Sequence, residues 1–283
     1  MLLGRMRLGN TQINLVFRSP CATFVGMIRK YRYSVSELLP YIDWGYFFHA
    51  WQVKGDSKQG AELKMEAIRM LELLDDSIGA EALYRSVKVH SENEDIVIDE
   101  TEVDATELHY RQLIPLLRQQ SLGADGITLC LADFVNPKGD TIGLFATTCA
   151  LMAQKGADPY ESLMMQTLAT RLAEAAAEKV DEETLMILET NKGIRPAVGY
   201  PSLPDLSINF LLNEMINMKS IGITLTENGA MNPPSSVSGL IIRHPAAHYF
   251  SIGRISEEQF KDYTRRRCLP PERMRQFLHA VLD

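Results

Sequence analysis

Two short polar turns, each set between apolar runs, constrain this chain more than any other feature. The first, Ser91-Glu92-Asn93-Glu94-Asp95, separates the alternating stretch 84–89 from Ile96-Val97-Ile98. The second, Asn136-Pro137-Lys138-Gly139-Asp140, joins residues 127–135 to residues 141–149. Asparagine, proline and glycine at this spacing reverse a chain within a few residues, by presetting φ or by permitting left-handed backbone. Parallel neighbours need a crossover of a dozen or more residues, so reversals this tight select antiparallel ones. The expectation is a single α+β domain with a central, mainly antiparallel twisted sheet flanked by helices.

Periodicity places the helices. Residues 60–77 put Leu63, Ala67, Met70, Leu71 and Leu74 on one face. Asp158-Pro159 opens the longest helix, to about residue 190, with Leu163, Leu168, Leu172, Ala175, Ala176 and Val180 as its apolar stripe. Further helices are expected over 108–120 (carrying His109, Tyr110 and Arg111), 207–219, 256–267 and from Pro270 onward. Ser34 with Glu37, and Ser256 with Gln259, are spaced as capping boxes. Residues 221–226, 237–242 and 249–255 read as strands, and the acidic run 95–107 as a solvated loop. Without internal repeats or low-complexity linkers, residues 33–283 form one domain. The first 36 residues hold no Asp or Glu but six basic residues, Arg5, Arg7, Arg18, Arg29, Lys30 and Arg32. Residues 1–32 are therefore set apart as a weakly structured N-terminal extension. An over-extended start upstream of Met27 is the favoured account, beside a transit peptide or a basic docking arm.

Composition excludes several function classes. Hydrophobic residues at 46% and charged residues at 23% suit a globular core. No apolar run approaches the ~20 residues of a membrane-spanning helix. A net charge of −7 argues against a nucleic-acid partner. The four cysteines, Cys21, Cys130, Cys149 and Cys268, form no C-x-x-C pair and read as thiols in a reducing cytoplasm. Neither G-x-G-x-x-G after a strand, nor a P-loop, nor G-x-S-x-G is present. Pro245 between His244 and His248 argues against a shared helical metal-binding face, so no metal is expected.

What remains is a set of polar and aromatic side chains on scattered elements. Gly193-Ile194-Arg195-Pro196-Ala197-Val198-Gly199-Tyr200-Pro201 is a rigid, non-helical loop presenting one guanidinium and one phenol. Arginine can fork onto a carboxylate or phosphate; equally, it can be a solvated charge on a proline-rich connector. Aromatic residues on both sides of Asp43 imply a partly buried carboxylate needing a partner, or else a helix cap. Glu174 lies among alanines, which leave room beside the helix, although most helix glutamates are simply exposed. With Tyr249, these groups could hold an amino-acid zwitterion carrying an extra positive charge, with aromatic rings against a base.

Five stretches, in order, resemble the activation domain of cobalamin-dependent methionine synthase. They are Tyr41-Ile42-Asp43-Trp44 with Phe47-Phe48 and Ala50-Trp51; Leu131-Ala132-Asp133-Phe134; Ile142-Gly143-Leu144-Phe145-Ala146; and the loop above, for which the family reads I-R-P-A-P-G-Y-P. The fifth runs from Leu225-Thr226-Glu227 through Ala230-Met231 and Ser236-Val237-Ser238-Gly239 to His244-Pro245 and Tyr249. The resemblance implies S-adenosylmethionine bound by Asp43, Glu174, Arg195, Ala197, Gly199, Tyr200, Tyr249 and Phe250. It also implies a methyltransferase component that reactivates cob(II)alamin by reductive methylation. The cobalamin is then carried by the cobalamin-binding domain of a separate methionine synthase polypeptide, and flavodoxin or a similar donor supplies the electron. No side chain needs to act as acid, base or nucleophile. A different corrinoid client, or a non-catalytic S-adenosylmethionine-binding scaffold, is the alternative. The family continues A-C-P-D-H-T-E-K where this chain has Ser202-Leu203-Pro204-Asp205-Leu206-Ser207-Ile208-Asn209. That departure points to an altered surface facing the corrin or its carrier.

Overall fold

A computed structural model describes residues 4–8, 11–15, 26–74, 79–99, 112–123, 126–151, 158–185 and 192–282. The sequence places Cys21, the run 100–107 and the trio His109, Tyr110 and Arg111 outside the described residues.

Near the N-terminus, β1 (Gly4–Leu8) and β2 (Thr11–Leu15) form a hairpin. Strand β3 (Arg29–Ser34) belongs to the main sheet, so the sheet begins upstream of position 33, where the domain was expected to start. Tyr31 and Tyr33 explain the extension, since both are buried on one face of β3. Helix α1 (Val35–Leu38) opens on a complete Ser34–Glu37 capping box, as the spacing predicts. Helices α2 (Trp44–Ala50) and α3 (Lys58–Glu72) follow. Strands β4 (Gly79–Glu92) and β5 (Asp95–Ile98) form the hairpin expected at the first turn, and β6 (Leu113–Pro115) pairs with β5.

Strand β7 (Asp140–Thr148) lies along β4, and β10 (Ser236–Ile241) lies along β7. The sheet order is β10-β7-β4-β5-β6 with β3 also on β4, and every pairing is antiparallel. The expected fold class therefore holds. Between β7 and β10 come α4 (Pro159–Thr184), α5 (Ile208–Ile216) and a two-residue pair of strands, β8 (Thr224–Leu225) and β9 (Met231–Asn232). Helices α6 (Glu257–Arg267) and α7 (Pro271–Phe277) close the chain.

The sheet is covered on both faces, and strand alternation divides the core. Ala80, Ala82, Tyr84, Phe145, Val237 and Ile241 point to the α4 side. Leu83, Val87, Val89, Ile142, Leu144 and Leu240 point to the α5 side. Helix α4 is capped by Asp158, which accepts from Glu161 N–H, and carries Pro159 in its first turn. Its alanines 173 and 175–177 are all buried; small side chains let it lie close on the sheet, where Thr147 Oγ1 donates to the Ala173 carbonyl at 2.8 Å. Leu163, assigned to its apolar stripe, is instead 51% exposed. Among the described residues, no helix is long and apolar enough to cross a membrane.

Three local expectations fail. Residues 127–135 are not the first arm of a hairpin; Leu131–Phe134 is a 3-10 turn. Asp133 accepts from Cys130 N–H at 2.8 Å and forks onto Arg118 at 2.7 and 2.8 Å, so side-chain bonds take the place of a strand ladder. Residues 112–120 are not helical, since they supply β6 and a bridge from Arg118 to Cys130. Residues 249–255 are not a strand but an irregular segment, held by Ile252 N–H on the Pro201 carbonyl at 2.9 Å and Ile255 N–H on the Val281 carbonyl at 2.9 Å.

Candidate functional site

The loop 193–201 lies along the free edge of β10 as an irregular extra strand. Ile194 and Ile242 exchange two backbone bonds of 2.9 Å, Leu240 N–H donates to Pro196 at 3.0 Å, and Val198 N–H to Ser238 at 2.9 Å. Gly239 makes this approach possible: a Cβ there would sit 2.2 Å from the Pro196 carbonyl oxygen. Gly199 then takes φ +88° and turns the chain so that its own N–H reaches the Leu203 carbonyl at 2.8 Å. Arg195 and Tyr200 are thereby delivered to the α4 side of the sheet.

There they meet three other elements around a cleft of about 890 Å³. Helix α4 contributes Arg171, Glu174 and Glu178, spaced i, i+3 and i+7 along one face. The entry to α2 contributes Tyr41, Asp43 and Tyr46, and the irregular segment contributes Tyr249, Phe250 and Ser251. Its lining holds three carboxylates (Asp43, Glu174, Glu178) and two guanidinium groups (Arg171, Arg195), a net charge of −1.

Arg195 is the fixed point. Its side chain is 13% exposed, and its guanidinium lies over the Phe145 ring at 5.3 Å. One terminal nitrogen donates to Glu178 Oε2 at 3.0 Å, while the other stands 3.9 Å from Glu174 Oε2. Its Nε is buried without a hydrogen bond among the described residues. Its backbone N–H donates to the Tyr249 hydroxyl at 3.0 Å. Tyr200 donates its phenol to Glu174 Oε1 at 2.6 Å; burial, then the neighbouring carboxylate, pushes that phenol's pKa up, so it stays a donor. Arg171 covers the Tyr46 ring at 5.4 Å.

Seven of the eight residues expected to bind a ligand line this one cleft: Asp43, Glu174, Arg195, Ala197, Tyr200, Tyr249 and Phe250. Gly199 does not line it and acts through backbone shape. Of the two readings of Asp43, the helix cap holds and the partly buried carboxylate does not, since the residue is exposed. Phe47 turns into the core while Tyr41 and Tyr46 line the cleft, and Asp43 caps α2 through one oxygen that accepts from Gly45 at 2.8 Å and Tyr46 at 3.4 Å. Sequence reasoning overlooked Tyr41, Tyr46, Arg171 and Glu178. The signal for the last two was available: they share the helical face of Glu174.

Burial pushes the Cys149 thiol up to about 11, and Cys130 is buried likewise. No cluster of His, Cys, Asp and Glu among the described residues could hold a metal ion. The departures after the loop also read differently in three dimensions. Of the three departures Leu206, Ile208 and Asn209, the last two are buried, at 0% and 1% exposure, and face the core, while Leu206 is half-buried. Asn209 there donates to the Gly229 carbonyl at 2.8 Å and accepts from Ser238 Oγ.

Comparison with known proteins adds two findings. The model of the family "Vitamin B12 dependent methionine synthase, activation domain" matches residues 34–268. The chain is also similar to a solved structure, the MetH reactivation domain bound to AdoHcy, at 30% identity and a TM-score of 0.78. The match covers 94% of this chain and 93% of that one.

Proposed function

The chain belongs to the vitamin B12-dependent methionine synthase activation-domain family, and from that premise we propose that its cleft binds S-adenosylmethionine for the reductive methylation of cob(II)alamin on a separate methionine synthase polypeptide. The observation that carries this reading is the convergence of Asp43, Glu174, Arg195, Tyr200, Tyr249 and Phe250, from four separate segments, on one cleft.

The lining suits the ligand in size, charge and donor set. About 890 Å³ is within the range of small-molecule sites. S-adenosylmethionine carries one carboxylate, one ammonium and one sulfonium, a net charge of +1 against the lining's −1. Arg195, immobilised on Phe145, offers its fork to the carboxylate. Asp43 and Glu174 offer oxygens to the ammonium and balance the sulfonium. Tyr249 and Phe250 offer ring surface to the adenosine. When bound, the sulfonium supplies a methyl group and leaves as a neutral thioether, so no side chain is asked for a proton or an electron pair. What the chain provides is orientation: side chains on α4 and on a loop bonded to β10 hold the ligand's polar end while its methyl faces the cleft mouth.

The corrin comes with the partner polypeptide, and flavodoxin or a similar donor delivers the electron in this reading. The interior positions of Ile208 and Asn209 support it over loss of a docking face and leave only half-buried Leu206, of the three departures, reaching the surface. Calorimetric titration of S-adenosylmethionine into wild type and Arg195→Ala tests the binding. Saturable heat in wild type that the variant loses is the expected result; a folded wild type that gives none overturns the proposal. Methyl transfer to added cobalamin-loaded partner domain, with and without a low-potential reductant, then tests the reaction.

A further inference from the structure

We propose that Glu178 is an internal competitor: it sits on the Arg195 fork as a stand-in for a ligand carboxylate and gives way to a ligand that brings one. This inference rests on the S-adenosylmethionine reading above. Two carboxylates stand near Arg195, and their circumstances differ. Glu174 is 22% exposed, already accepts the Tyr200 phenol at 2.6 Å, and lies 3.9 Å from the guanidinium. Glu178 is 59% exposed, lies 3.0 Å from the guanidinium, and has Arg195 as its hydrogen-bond partner among the described residues. Arg195 itself cannot move aside cheaply, being 13% exposed and seated on Phe145. The member of the cluster with least to lose by giving way is Glu178.

An exchange of carboxylates is favourable only when the outgoing one is easily rehydrated. Exposed ion pairs contribute little because water competes well for both partners. Glu178 meets that condition, whereas Glu174 would abandon the phenol of Tyr200 and a less hydrated position. A nucleoside without a carboxylate would find Arg195 already neutralised and would gain nothing there. The pair thus lowers the affinity of an amino-acid-bearing nucleoside, which must displace Glu178, and does not penalise a cationic nucleoside that leaves the pair in place.

The test is Glu178→Gln, titrated with two probes: S-adenosylmethionine and decarboxylated S-adenosylmethionine, which keeps the sulfonium and an amine but lacks the carboxylate. The substitution removes the competitor and also one attractive charge. For S-adenosylmethionine, relief of competition is the local and larger effect, and affinity should rise about twofold to fivefold. For the decarboxylated probe only the lost attraction remains, and affinity should fall or stay level. Loss of affinity for both probes would mean that Glu178 holds the ligand's positive end, and equal gain for both would mean a general effect; either overturns the proposal. Unchanged affinity for S-adenosylmethionine overturns it as well. A folded wild type that binds neither probe would instead remove the S-adenosylmethionine reading, and this inference with it. A melting temperature for Glu178→Gln matching wild type completes the comparison.

Discussion

Two arginine–carboxylate clusters flank the same loop, and they are built in opposite ways. On the α4 side, Arg195 faces Glu174 and Glu178 across an open cleft, with carboxylates 22% and 59% exposed. Past the end of the loop, Asp205 and Arg267 form a closed cluster, 1% and 5% exposed. Asp205 accepts from Ser207 N–H at 2.8 Å, Ser207 Oγ at 2.7 Å and the buried Tyr263 hydroxyl at 2.7 Å. Arg267 donates to Ser207 Oγ at 2.8 Å and to the Ser207 carbonyl at 3.1 Å. The closed cluster ties the loop to α6 and has no room for a ligand. The open one leaves a forked cation with one solvent-reaching partner, which is the arrangement a ligand can enter. Charged residues of one type thus divide into structure and site by burial and by how many of their bonds are already made.

The comparison predicts that the closed cluster carries stability and the open one carries binding. Asp205→Ala should have the largest effect, because it leaves the Arg267 charge buried without its counter-ion and takes from the Tyr263 hydroxyl the nearer of its two acceptors, the other being the Pro115 carbonyl at 3.2 Å. A loss of about 3–5 kcal/mol is expected, read from urea denaturation. Arg195→Ala should cost far less stability, because Glu174 and Glu178 reach water once released. Its effect belongs to S-adenosylmethionine affinity, a loss of about 1.5–3 kcal/mol, the worth of a hydrogen bond to a charged group. If instead Arg195→Ala proved as destabilising as Asp205→Ala, the distinction between the two clusters would collapse.

How much of this was legible beforehand follows the same division. The turn at 91–95 and the capping box at Ser34 were readable because their causes are local: turn chemistry in one, a three-residue spacing in the other. The segment 127–135 misled, because its shape depends on Arg118, twelve residues from Cys130, bonding Asp133. At Asp43 the cap was readable and the burial was not, because adjacent aromatics say nothing about which side a carboxylate faces when a helix begins there. The loop 193–201 was readable as rigid, but its seat on β10 required Gly239, far along the chain. Glu178 was missed although it stands one turn beyond Glu174. Its meaning depends on the position of Arg195, which the helix sequence does not carry.

Tyr200→Phe refines the open side. It removes the donor to Glu174 Oε1 and leaves that carboxylate free to swing toward Arg195, so two carboxylates would compete for one fork. Affinity for S-adenosylmethionine should fall by about 0.5–1.5 kcal/mol, with stability nearly unchanged because Tyr200 is 48% exposed. A rise in affinity would show that the phenol blocks the ligand rather than arranging Glu174.

The smallest effect is expected at Tyr249, where ring and hydroxyl can be separated. Its hydroxyl accepts from Arg195 N–H at 3.0 Å, yet the side chain is 63% exposed. In Tyr249→Phe that N–H can turn to water, so stability should change by no more than about 0.5 kcal/mol. If the ring supports the ligand's adenosine, Tyr249→Phe should also bind nearly as wild type, whereas Tyr249→Ala should lose about 0.5–1.5 kcal/mol of affinity. Equal losses in the two variants would assign the role to the hydroxyl, and through it to the backbone placement of Arg195. Since the open cluster works by leaving bonds unfinished, a residue whose one bond among the described residues is replaceable by water should contribute through its surface, and the pair of variants distinguishes the two.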